Sequence, residues 1–173
     1  MTETAQQYTQ RLLGNVAGKD ARRVQRATPQ KLALLMKRLN PKELGKRPGP
    51  GKWSVTEILA HLADSELAVS WRLRSTLACD GIALQAYDQD VWASTFQYAK
   101  SHSKTSLERF RVLREANLAL LKTVPKMLLD NYGMHAERGK ETVAHLTNMV
   151  AGHDLNHLRQ VETIVKSARA RKR

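Results

Sequence analysis

One stripe of residues constrains this chain more than any other feature. Val143, Leu146, Val150, His153, His157, Val161 and Ile164 follow one another in steps of three or four. Those steps keep side chains on a single face of an α-helix. A helix with an apolar face about six turns long must bury that face against other elements. Two histidines lie inside the stripe, four residues apart, where side chains on one face can converge on one ion.

The rest of the chain supplies partners for that helix. Residues 3–19 form a weakly patterned, partly helical segment. Thr28-Pro29 reads as a helix start, threonine capping and proline in the first turn. Leu32, Leu35, Met36 and Leu39 then share a face up to the stop at Asn40-Pro41. Gly45–Gly51 reads as a loop. Ser54 and Glu57 have capping-box spacing, with Trp53 and Ile58 placed as a hydrophobic staple around it. The helix they open is expected from Val55 to about Cys79, ending at Asp80-Gly81. Tyr87–Lys100 is transitional. Thr105 and Glu108 suggest a further capping box, ahead of Leu107, Phe110, Leu113, Leu121 and Val124, with Pro125 as the stop. A loop over Gly133–Gly139 precedes the last helix, expected from about Glu141 to Ser167. Without convincing β-alternation, these patterns predict an all-α bundle. Its long inter-helix segments imply crossovers.

The 173 residues suffice for one domain. No repeat or compositional shift divides the chain, so residues 1–173 are expected as a single unit with 168–173 a basic flexible tail. Apolar residues make up 42% and aromatics only 5%, which leaves aliphatic side chains and methionine to fill the core. The lone Cys79 rules out an internal disulfide and a multi-cysteine zinc site, and its apolar neighbours suggest a small buried hydrophobe. No apolar run is long enough to span a membrane, and Met1–Gln10 holds no signal-peptide core. A cytoplasmic protein is expected. The balance of 29 basic against 16 acidic residues gives a charge of +13. That charge attracts acidic ligands without specifying one. No nucleic-acid-binding motif accompanies it.

The chemistry centres on histidine. His61 follows Ile58 by three and lies on the inward edge of its helix near Leu62 and Ser65. With His153 and His157 it makes three imidazoles on bundle-facing surfaces, ligands suited to late first-row divalent ions. Three nitrogens leave coordination positions open. The alternative is that these histidines hydrogen-bond within the core. Asp64 can orient His61 or act as a base, and Asp154 and Asn156 can support the pair on the last helix. Solvated roles suit each of them equally. Glu57 is explained by its cap. His102 is expected to be exposed, and His145 points partly off its face. His135 and Arg138, in the loop before the last helix, are candidates to contact a substrate.

Three segments also carry a resemblance. Gly51-Lys52-Trp53-Ser54-Val55 with His61-Leu62-Ala63-Asp64, the loop Gly133–Gly139, and Ala151-Gly152-His153-Asp154-Leu155-Asn156-His157-Leu158-Arg159-Gln160 resemble the DinB-like (DinB/YfiT) superfamily of metal-dependent enzymes. The resemblance implies a four-helix bundle with an extra N-terminal helical segment, commonly a homodimer. It implies one zinc or nickel ion on His61, His153 and His157. It further implies a small-molecule substrate, with thiol-dependent S-transfer or hydrolysis as the reaction and a low-molecular-weight thiol as a possible partner. The competing expectation is a stress-related metal-binding or nucleic-acid-interacting protein without catalysis.

Overall fold

The computed structural model describes residues 3–170. Seven α-helices dominate them: α1 (Ala5–Val16), α2 (Ala21–Met36), α3 (Pro41–Gly45), α4 (Val55–Ala78), α5 (Gln89–Thr95), α6 (Ser103–Thr123) and α7 (Val143–Ala170). Three short strands, β1 (Ile82–Leu84), β2 (Tyr132–His135) and β3 (Gly139–Thr142), form one sheet in the order β1-β2-β3.

The bundle is made by α2, α4, α6 and α7. Helix α4 packs against α6 and α7, and α2 packs against those same two. Helices α2 and α4, consecutive in the bundle, therefore sit diagonally, as do α6 and α7. The connections across both diagonals are the crossovers that the long inter-helix segments imply. Helix α1 lies outside the ring against α7.

Local sequence explains most of the boundaries. Ser54 accepts from the Glu57 N–H and Glu57 accepts from the Ser54 N–H, completing the expected capping box. Trp53 packs on the core that holds Ile58. Elsewhere the boundaries move. Helix α2 begins eight residues before Pro29, capped by Asp20. Pro29 then lies inside a helix, where its missing N–H leaves the Gln25 carbonyl without its i+4 donor. Arg114 Nη1 supplies a replacement at 3.2 Å, so a tertiary contact tolerates what local rules forbid. Asn40 and Glu43 cap the short helix α3 inside the segment after the stop. The capping box at Thr105 and Glu108 does not form. Helix α6 starts at Ser103 after His102, and Glu108 instead pairs with Arg111 at 2.6 Å. Cys79 is exposed, not buried, because the chain leaves α4 there. Helix α7 continues through Ala170 with Ala168 buried, so the expected tail begins inside it. Residues 171–173 lie outside the described residues.

The predicted loop at Gly133–Gly139 is a β-hairpin. β2 pairs antiparallel with β3, and β1 pairs parallel with β2, Leu84 opposite His135. Strands of three and four residues are too short to show alternation. At the hairpin turn Gly139 takes φ of 78°, a left-handed conformation that favours glycine.

Two apolar clusters fill the bundle. One joins Ile58, Leu59, Leu62, Phe110, Leu158, Val161 and Ile164, and the other joins Leu73, Leu84, Leu121, Val143 and Leu146 under the sheet. Along α4, α6 and α7 a polar layer separates them. Arg114, only 1% exposed, pairs with Glu66 at 2.8 Å and with Asp154 at 2.5 Å, and Asn117 also donates to Glu66.

Candidate metal centre

His61 stands on α4, and His153 and His157 stand one turn apart on α7. The packing of α4 on α7 brings the three rings together. His61 Nε2 lies 3.0 Å from His153 Nε2, and His153 Nε2 lies 3.1 Å from His157 Nε2. Among the described residues these three are the group whose donor atoms could share one ion.

Their surroundings favour ligation. Burial holds all three imidazoles below their ordinary pKa, that of His157 at about 4. They are therefore neutral, as metal ligands must be. Gln160 Oε1 lies 3.0 Å from His157 Nδ1. With the amide oxygen facing the ring, Nδ1 carries the proton and Nε2 presents its lone pair. Three nitrogen lone pairs this close repel unless a cation or shared protons lie between them. A late first-row divalent ion fits the donor set, with coordination positions left open. Trp53 covers His61 with ring centroids 4.8 Å apart. Ser65 Oγ, one turn along, lies 3.3 Å from His61 Nε2 and 2.9 Å from the Tyr87 hydroxyl.

His61 and His153 also border a cavity of about 330 Å³. Its wall includes Tyr8 and Leu12 of α1, Ser65, Val69 and Arg72 of α4, and Met149 and Val150 of α7. Both loop candidates, His135 and Arg138, line it as well. Asp64 does not: it accepts from Arg109 Nη2 at 2.6 Å and bonds Tyr98, outside the cavity wall. Asp154 borders the cavity but is committed to Arg114, and Asn156 accepts from Arg11. His102 is exposed, and His145 is half-buried outside the cluster. Sequence reasoning missed Tyr8, Arg72, Tyr87 and the orienting role of Gln160. Gln160 alone had a local signature, three residues after a histidine on the same face.

A family model for the DinB superfamily matches residues 25–161. The chain belongs to the DinB superfamily. Among curated relatives, "Putative metal-dependent hydrolase OB0413" of Oceanobacillus iheyensis is 27% identical over 124 residues, covering 72% of this chain and 71% of its own length. "Putative metal-dependent hydrolase BH0277" of Halalkalibacterium halodurans is 24% identical over 134 residues, 78% of each chain. A solved structure described as "YfiT from Bacillus subtilis is a probable metal-dependent hydrolase with an unusual four-helix bundle topology" superposes with a TM-score of 0.80. It covers 96% of this chain and 90% of that one at 18% identity, a likeness of fold. DinB membership and the four-helix bundle thus agree with the reading of the sequence.

Proposed function

We propose that this DinB-superfamily protein is a metal-dependent hydrolase of small molecules, with one divalent ion, zinc or nickel, held by His61, His153 and His157. The observation that carries the reading is the convergence of three imidazoles, their ligand nitrogens within 4.8 Å of one another, beside a cavity of small-molecule size. The names of the curated relatives support hydrolysis over S-transfer.

A divalent ion bound there supplies Lewis acidity, polarising a carbonyl or phosphoryl oxygen and acidifying water. The chain's own residues orient and exclude. Gln160 fixes the His157 tautomer, and Trp53 shields the outer side of His61. Of the carboxylates on the cavity wall, Glu66 and Asp154 are tied to Arg114, Glu3 is tied to Arg11, and Glu137 is exposed at the hairpin turn. The polar groups beside the imidazoles are then the hydroxyls of Ser65 and Tyr87, which share a hydrogen bond and can hold a proton or position water. Asp64 is bound by Arg109 away from the cavity wall. The reading extends to a homodimer, supported by Leu67 and Trp71, exposed at 52% and 73% one turn apart on α4. Sedimentation at micromolar concentration checks it.

The test compares metal-loaded and chelator-stripped protein on panels of esters and amides, with and without added thiols. Turnover is expected only with metal, and to water rather than thiol. His61→Ala, His153→Ala and His157→Ala are each expected to lose stoichiometric metal and activity together, while His102→Ala retains both. Equal turnover in stripped protein, or full metal content in His61→Ala, overturns the reading; thiol-dependent product assigns S-transfer instead.

A further inference from the structure

The wall of the cavity holds a second polar cluster, Arg72 and His135, apart from the three histidines. Helix α4 presents His61, Ser65, Val69 and Arg72 to the cavity at steps of four, four and three, one continuous face. Eleven residues separate His61 from Arg72, about 16 Å along the helix axis. The metal ligands and Arg72 are thus separated along the cavity wall, with Val69 between them. Leu146, Met149 and Val150 of α7 add to the apolar lining.

Arg72 is 9% exposed and forms no ion pair among the described residues. Its Nη2 donates to the Gln85 carbonyl at 2.6 Å, and its guanidinium lies 5.5 Å from the centre of the Tyr87 ring. Burial, reinforced by the charge of Arg138, disfavours its cationic form, and the Glu141 carboxylate offsets this only in part. A buried guanidinium without an anion is costly, and structures ordinarily supply a partner. Most carboxylates nearby are held by other cations. Glu141 holds Arg138 at 2.6 Å, Glu66 and Asp154 hold Arg114, and Glu3 holds Arg11, while Glu137 is exposed at the hairpin turn.

His135 lines the same cavity and holds an unused donor. It is 3% exposed at the end of β2. Its Nδ1 accepts from the backbone N–H groups of Glu137, at 3.2 Å, and Arg138, at 3.4 Å. The hydrogen of the neutral ring is therefore on Nε2, and buried Nε2 has no partner. Burial and Arg138 hold the ring's pKa down at about 4, so it stays neutral near pH 7.

We propose that Arg72 and the Nε2–H of His135 form a carboxylate-binding subsite, so that the protein's substrate is an acid with an apolar spacer between its carboxylate and the group placed at the three histidines. One unpaired positive charge and one neutral donor match a monoanionic carboxylate better than a dianionic phosphate. What happens at the far end of the substrate rests on the hydrolase reading; the binding of the carboxylate does not.

The probes are linear monocarboxylates of four to eight carbons, their methyl esters and the matching alkyl phosphates. Affinity is measured by calorimetry on metal-loaded protein, chelator-stripped protein, Arg72→Gln and Arg72→Lys, with folding checked by melting curves. The acid is expected to bind at least about tenfold tighter than its ester. That gap persists without metal, disappears in Arg72→Gln and partly returns in Arg72→Lys. If Arg72→Gln does not fold, the side-chain NMR signal of His135 Nε2–H in the unaltered protein decides, since it must shift with the acid and not with the ester. Equal binding of acid and ester, a gap unchanged in Arg72→Gln, or an unmoved His135 signal overturns the proposal. A gap that vanishes with the metal also overturns it, because the carboxylate then sits on the ion. Phosphate preferred over carboxylate overturns the assigned ligand. Absence of metal from the native protein would sink the hydrolase reading while leaving the acid–ester comparison intact.

Discussion

A buried imidazole resists protonation, and this protein buries several. His135 and His157 are held at about pH 4, and His61 and His153 also lie well below the ordinary 6.5. In the unfolded chain the same rings take up protons near their ordinary pKa. As pH falls from 6.5 towards 4, the unfolded state binds protons that the native state refuses, so native stability declines over that window. Urea midpoints of chelator-treated protein are expected to fall between pH 7 and pH 4.5. In metal-loaded protein the decline is steeper, because protons also displace the ion. A flat profile would mean that the imidazoles are solvated or already charged in the native state.

Helix α1 is attached to α7 at a point where only glycine fits. A Cβ on Gly152 would stand 2.0 Å from the Leu12 carbonyl oxygen and 2.6 Å from its carbon, and that obstacle is backbone. Asn15 Nδ2 reaches the Gly152 carbonyl at 3.3 Å, and Arg11 reaches Asn156 at 3.1 Å, fixing the two helices in register. Gly152→Ala improves the helix propensity of α7 by up to about 1 kcal/mol. The forced separation costs about 1–3 kcal/mol and outweighs that gain. Because Tyr8 and Leu12 wall the cavity, the variant opens the site as well. Hydrogen exchange is expected to accelerate over Ala5–Val16 while α4 keeps its protection. Unchanged protection of α1 would show that the helices separate without loss.

At the scale of the molecule, the bundle is divided by its polar layer. Arg114 of α6 joins Glu66 of α4, Asp154 of α7 and the carbonyl of Gln25 in α2, so one guanidinium touches all four bundle helices. Arg114→Met removes the cation and leaves two buried carboxylates. That change is expected to cost about 3–5 kcal/mol. Replacing Glu66 and Asp154 by leucine in the same chain is expected to recover much of the loss, since a well-packed apolar layer does without the ion pairs. Chemical denaturation of the single and triple variants measures both effects. A single variant as stable as the unaltered protein would show that water already reaches this layer.

Much of the architecture is local information. The stripe from Val143 to Ile164 and the capping box at Ser54 and Glu57 define α7 and the start of α4, because periodicity and caps depend on residues within a few positions of each other. His153 and His157 are legible as a pair for the same reason, and His61 through its place on the inward edge of α4. What escaped the sequence depends on partners distant in the chain. Pro29 marks a helix start by local rules, yet it sits inside α2 because Arg114, far along the chain, takes the carbonyl it frees. The loop Gly133–Gly139 becomes a hairpin because β1, fifty residues earlier, pairs with β2. Arg72 and Tyr8 look like ordinary polar residues of amphipathic helices, and only the packing of α1, α4 and the hairpin places them on one cavity wall. Local sequence therefore determined the helices and the histidines, and packing decided which of their side chains met.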